Sequence, residues 1–81
     1  IMPANTLTQL RLLLSDLLPI EPVEATASLF ASGLLDSIAL LEVVSLIESH
    51  WSIRFGWTEV NLDNLDSLGK MASFIERKIE G

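Results

Sequence analysis

Apolar positions along the chain fall into three stripes with helical spacing, separated by two stretches that keep no period. Leu7, Leu10, Leu14, Leu17 and Leu18 recur about every 3.6 residues and share one face. Thr6 followed three residues later by Gln9 has the form of a capping box, and Pro19 stops the run. The second stripe is Leu40, Val43, Val44, Ile47 and Trp51, on a helix opened by Asp36 or Ser37, both good N-terminal residues. Its opposite side carries Ile38, Glu42, Ser45 and Ser49, with Leu41 on the boundary. Ile38 is therefore a large apolar side chain on a polar face. The third stripe is Leu68, Met71, Ala72, Ile75 and Ile79, on a helix that opens at Asp66 or Ser67. Arg77 and Lys78 stand in its final turns, where the helix dipole favours cations.

Residues 20–35 keep no period and contain Pro22, small residues and Gly33, which predicts a long ordered loop. Leu29 and Phe30 are its bulky pair and are expected to pin it to the core. A loop of this length in a small domain is uncommon unless it is functional or tied down. Residues 52–65 give mixed signals. Ile53 and Phe55 alternate with polar residues, and Thr58 could cap one short helical turn through Val60. A lone strand would have no partner, so no sheet is expected. The prediction is an all-α fold, a small irregular four-helix bundle. It has three main helices, one short helix, and a long loop between the first and second. Residues 6–80 form a single domain behind a tail at 1–5, with Ile1 read as a remnant ahead of Met2, the native start.

Length and charge then narrow the function. An 81-residue chain holds at most one domain with a thin core, which argues against a self-contained enzyme with a deep cleft. Five basic residues face eleven acidic ones, for a net charge of −6. No Lys or Arg lies between Leu12 and Ile53. A nucleic-acid partner needs the opposite field, and an anionic membrane is disfavoured for the same reason. A basic protein partner is favoured by electrostatic steering. The apolar stretch at 7–20 is broken by Arg11, Asp16 and Pro19, so no spanning or targeting segment is expected. The expectation is a monomeric cytoplasmic protein that does not insert into membranes.

The absence of cysteine excludes a disulfide framework, zinc-finger spacings and a thiol nucleophile encoded by the chain. Metal binding is not expected, because the carboxylates are scattered and His50 is the sole imidazole. A Ser37–His50 hydrolytic pair also fails. The two residues would stand at opposite ends of one helix, about 20 Å apart at 1.5 Å rise per residue, whereas a nucleophile and its base must touch. The four glycines are isolated, so no phosphate-cradling loop exists. What survives is Gly33-Leu34-Leu35-Asp36-Ser37-Ile38, which places a hydroxyl at a helix start behind a glycine-containing loop. Free N–H groups and the dipole there accommodate a phosphate, and Ile38 beside it offers an apolar contact.

Residues 29–42, Leu29-Phe30-Ala31-Ser32-Gly33-Leu34-Leu35-Asp36-Ser37-Ile38-Ala39-Leu40-Leu41-Glu42, resemble the modification region of acyl carrier proteins and peptidyl carrier (thiolation) domains. The resemblance rests on the apolar pair, Gly33, the Asp-Ser-apolar triplet, the glutamate five residues after the serine, the helix order and the acidity. It implies a non-enzymatic carrier. A phosphopantetheinyl transferase would place 4′-phosphopantetheine from coenzyme A on Ser37. The arm's thiol would then hold an aminoacyl or acyl group as a thioester, which suits a chain without cysteine. By the same resemblance Asp36 would help position the transferase or its metal ion, and Ile38, Leu41 and Glu42 would meet partner enzymes. A second triplet, Asp66-Ser67-Leu68, lacks the preceding Gly-Leu-Leu and leads into a core stripe, so Ser67 is read as part of a helix start.

Departures from fatty-acid carriers bear on the cargo. Ala39 stands where an acid is usual, Leu40 replaces a polar residue, and Ser45 replaces a common methionine. After the second helix the acidic run shrinks to Glu48, Ser49 and His50. The Gly-Leu-Leu-Asp-Ser run looks more like D-alanyl carriers, and residues 53–78 are similar to stand-alone prolyl and pyrrolyl carriers. The resemblance thus implies an aminoacyl carrier loaded by an adenylating enzyme and serving tailoring or condensing enzymes. The alternatives are a polyketide- or fatty-acid-type carrier and an unmodified helical interaction module.

Overall fold

A computed structural model describes residues 5–19 and 23–80 of the chain. The reading of Ile1 and Met2, and Ile20 and Pro22 of the long connection, lie outside those residues. Every regular element described is helical: α1 (Thr6–Leu14), α2 (Ser37–Trp51), a 3₁₀ turn (Trp57–Glu59), α3 (Leu62–Leu65) and α4 (Leu68–Glu80). The small irregular four-helix bundle expected from the stripes is the architecture observed. Helix α1 packs on α4 and α2, and α3 packs on α4.

The first helix differs from expectation at both ends. Its cap is Asn5, not Thr6: the Asn5 side chain accepts the Thr8 N–H at 2.8 Å and its carbonyl accepts the Gln9 N–H at 3.2 Å. Thr6 is the first helical residue instead. The helix stops at Leu14, where one carbonyl accepts the N–H groups of both Leu17 and Leu18, at 3.0 and 2.9 Å. Pro19 disfavours helical geometry at the residue before it, so the chain closes a turn rather than another helical repeat. Leu18 is still buried with Leu10 and Leu14, whereas Leu17 stays at the edge of the core.

Helix α2 buries Val43, Val44 and Ile47, with Leu40 and Trp51 packed against them. It ends at Ser52, whose left-handed backbone (φ 56°) returns its N–H to the Glu48 carbonyl. The Glu48 side chain then accepts the Phe55 N–H at 2.8 Å and fixes the exit of the chain. Of the short elements, one falls earlier than a Thr58 cap would place it and one later. A 3₁₀ turn forms at Trp57–Glu59, with the Gly56 N–H bonded to Glu59 Oε1 at 2.7 Å. The short helix proper begins after Asn61, whose side chain caps it by accepting the Asn64 N–H at 2.9 Å.

On α4 the buried stripe is Leu68, Met71, Ala72, Phe74 and Ile75. Ile79 is 54% exposed, so burial ends one turn earlier than the pattern implied. Phe74 extends the stripe by stacking on Phe55, with ring centroids 4.6 Å apart. Arg77 and Lys78 lie over the Phe74 ring at 5.8 and 5.7 Å, and Lys78 pairs with Glu59 at 2.9 Å. The Gly56 N–H and the Lys78 ammonium together hold the Glu59 carboxyl below its ordinary range.

Candidate functional site

The long connection is ordered by its own turns and by two ties to the start of α4. Gly33 takes φ +84°, a backbone conformation in which glycine has no Cβ penalty. Its N–H donates to the Phe30 carbonyl at 3.1 Å, and the Leu35 N–H donates to the Leu29 carbonyl at 3.1 Å. Leu29 and Leu35 are buried and Phe30 is half-buried, so the expected apolar pins are in place. Nearer the start of the connection, the Gly69 N–H donates to the Ala25 carbonyl at 2.9 Å. A Cβ on Gly69 would come within 3.1 Å of that oxygen, so glycine permits the approach.

This loop delivers the chain to Asp36 in an extended conformation, and α2 begins at the next residue. Asp36 is the cap: its Oδ1 accepts the Ala39 N–H at 2.8 Å and its carbonyl accepts the Leu40 N–H at 2.8 Å. Ser37 is the first residue of a 15-residue helix, and it is exposed. Asp36 takes up the Ala39 and Leu40 N–H groups, which leaves those of Ser37 and Ile38 at the helix start for a phosphate oxygen. No acidic residue lies within the first turn itself. A phosphodiester on the Ser37 hydroxyl therefore fits: the oxygen is accessible and the local dipole favours negative charge.

The remaining predicted site residues share the solvent side of α2. Ile38 is 76% exposed, Leu41 is 65% exposed, and Glu42 is exposed. Spacings of three and four residues place Ile38, Leu41, Glu42 and Ser45 side by side. Leu41, which the pattern left on the boundary, belongs to this open face. An open groove of about 520 Å³ runs beside it, lined by Leu17, Leu41, Glu42, Ser45 and Leu46. The periodicity assigned Leu17 to the core stripe of α1. It reaches the groove because α1 ends at Leu14 and the following turn carries it aside.

The second triplet is occupied by structural work. Ser67 is only 5% exposed, and its hydroxyl accepts the Lys70 N–H at 3.1 Å as the cap of α4. Leu68 is fully buried. Asp66 turns toward the loop before Ser37: its Oδ1 accepts the Phe30 N–H and its Oδ2 accepts the Ser28 hydroxyl. Sequence reasoning missed that role for Asp66, since its partners lie 36 and 38 residues away.

His50 sits in the last turn of α2, facing Gln9 at 3.4 Å and edge-on to Trp51. It is at the opposite end of the helix from Ser37, so the imidazole does not stand beside that hydroxyl. Among the described residues no helix is long and apolar enough to cross a membrane.

A family model described as a phosphopantetheine attachment site matches residues 8–75, which takes in every element but the ends of α1 and α4. No curated protein and no solved structure matches the chain.

Proposed function

Because the chain belongs to the phosphopantetheine attachment-site family, we propose that it holds an aminoacyl group as a thioester on an arm attached to Ser37 and presents it to successive enzymes. Members of the family attach 4′-phosphopantetheine covalently and are generally non-catalytic carriers. The observation that carries the assignment of Ser37 is the contrast between the two triplets. Ser37 is exposed at the start of α2, whereas Ser67 is buried and committed as a helix cap.

In the attachment step the Ser37 oxygen forms a bond to the phosphorus next to the pantetheine half of coenzyme A. The pyrophosphate bond breaks, adenosine 3′,5′-bisphosphate leaves, and the hydroxyl proton passes to a base supplied by the transferase. Once bound, the arm supplies the thiol that the chain lacks. The chain's own residues hold the serine at the helix start and keep the negatively charged link on the positive end of the α2 dipole. Asp36 fixes that start by capping and stands where it can help seat the transferase or its metal ion. Ile38, Leu41 and Glu42 offer a mixed apolar and acidic surface to partners: the transferase, an adenylating enzyme, and tailoring or condensing enzymes. The aminoacyl cargo is supported by the Gly33-to-Ser37 run and by Ala39, which stands where a fatty-acid carrier usually has an acid.

Intact mass after incubation with coenzyme A and a broad-specificity transferase should rise by one arm. Ser37→Ala should abolish the gain, while Ser67→Ala should keep it and lose about 1 kcal/mol of stability as a cap is removed. Retention of the mass gain in Ser37→Ala would refute the assignment. Incubation of the modified protein with adenylating enzymes, ATP and a panel of amino and fatty acids then identifies the cargo. Loading by fatty acids alone would overturn the aminoacyl reading.

A further inference from the structure

The loop that leads to Ser37 is gripped by one acidic residue from the other half of the chain. Asp66, at the junction of α3 and α4, spends three acceptors on three successive residues. The Ser28 hydroxyl donates to its Oδ2 at 2.8 Å, the Phe30 N–H to its Oδ1 at 3.1 Å, and the Leu29 N–H to its backbone carbonyl at 2.7 Å. Each gripped residue then holds the next part of the loop. Ser28 Oγ accepts the Ala31 N–H at 3.1 Å, the Phe30 carbonyl accepts the Gly33 N–H, and the Leu29 carbonyl accepts the Leu35 N–H. Leu35 adjoins Asp36, the cap of α2. Hydrogen bonds therefore run from Asp66 to Leu35, one peptide bond away from the residue that starts the serine's helix.

We propose that Asp66 is a positioning residue for phosphopantetheinylation, holding residues 28–35 in the one arrangement that presents Ser37 and the open end of α2 to the transferase. The proposal rests on the reading of Ser37 as the attachment point. Burial of Leu29 and Leu35 keeps the loop on the core but is not directional, so it leaves the path between them free to vary. Hydrogen bonds to a carboxylate are directional and stronger than neutral ones, and they select one path. The same bonds, that of the Phe30 N–H first and the Ser28 hydroxyl second, keep the Asp66 carboxyl below its ordinary range, with Lys70 contributing. The carboxylate is thus charged wherever the protein works at neutral pH.

The test separates positioning from stability by steady-state kinetics of the transferase on Asp66→Ala, Asp66→Asn and Ser28→Ala. Assays run at a temperature where each variant is fully folded by circular dichroism. If the loop of Asp66→Ala holds the competent arrangement one time in ten, KM for the carrier rises about tenfold with kcat unchanged. Amide exchange in that variant should quicken at Leu29, Phe30 and Leu35 while α1 keeps its protection. Asparagine can still accept from the Phe30 N–H and donate to Ser28 Oγ, so Asp66→Asn should restore KM to within about twofold. Ser28→Ala, which removes the bond to Asp66 Oδ2 and the one from the Ala31 N–H but leaves the Phe30 N–H on Asp66, should raise KM about threefold. It also serves as the kinetic variant if Asp66→Ala fails to fold. An unchanged KM in Asp66→Ala, or in Ser28→Ala where that variant stands in, overturns the proposal. So does a failure of Asp66→Asn to rescue, or exchange that quickens equally throughout α1. Failure of the attachment reading looks different: wild-type protein would gain no mass, or Ser37→Ala would gain it, whatever residue stands at 66. Amide exchange still reads the grip in that case.

Discussion

Gly33 offers a perturbation in which backbone strain is separated from crowding. Its φ is +84°, and an added Cβ would find no atom within 4 Å. Gly33→Ala therefore introduces no clash, and its cost is the conformational preference of an L-residue. The left-handed region costs such a residue about 1–2 kcal/mol. Alanine also narrows the unfolded ensemble, which offsets about 0.4–1 kcal/mol of that cost. The net expectation is a loss of about 1 kcal/mol. With a urea slope of about 1 kcal/mol per molar for a domain of this size, the midpoint should fall by about 1 M. Gly33→Asn should fall by about half as much, because asparagine tolerates this region better. A D-alanine placed at 33 by chemical synthesis prefers positive φ and should raise the midpoint. Equilibrium urea denaturation followed by far-ultraviolet circular dichroism measures all three. A midpoint for Gly33→Ala equal to or above wild type would refute the left-handed turn, and a loss beyond about 3 kcal/mol would mean a clash that this geometry excludes.

Ile38→Asp should change stability by no more than about 0.5 kcal/mol, since the side chain is 76% exposed and the new carboxylate stands at a helix N-terminus. It should nevertheless raise KM for partner enzymes several-fold; a large fall in melting temperature with unchanged KM would place Ile38 in the core instead. The grip of Asp66 predicts an acid dependence with a defined sign. Its carboxyl is depressed in the folded state from an ordinary 3.8, so its contribution is complete above that value and is lost as pH falls through the lower folded value. Urea midpoints measured from pH 5 downward should therefore drop less in Asp66→Asn than in wild type, and parallel curves would contradict this.

The helical stripes were legible because their signal is local. Val43, Val44 and Ile47 stand three or four positions apart, and burial of one side of α2 follows from that spacing. The start of α2 was legible to within a residue, at Asp36 or Ser37, since the capping bond to Ala39 spans only three residues. Thr6 misled because Asn5 immediately before it is also a good cap, and adjacent candidates differ by a fraction of a kcal/mol. The short helix after Asn61 escaped notice because four residues are too few to show a period. Leu17 was assigned by period to a helix that ends three residues before it.

By itself, the sequence determined where the three main helices lie, which of their faces are apolar, and that a serine stands at the head of α2 beside an out-of-place isoleucine. Those properties depend on neighbours within about one turn, and the chain states its neighbours directly. Tertiary structure decided that Ser67, already read from the sequence as part of a helix start, is buried, because its burial depends on packing against distant segments. It also decided that Asp66 closes on Ser28 and Phe30 across 38 and 36 residues, tying the two triplets together. Any of the chain's acids could have been written opposite that loop. Only the folded path, with α3 and α4 docked and glycine at 69 letting Ala25 approach, brings this one within hydrogen-bond reach.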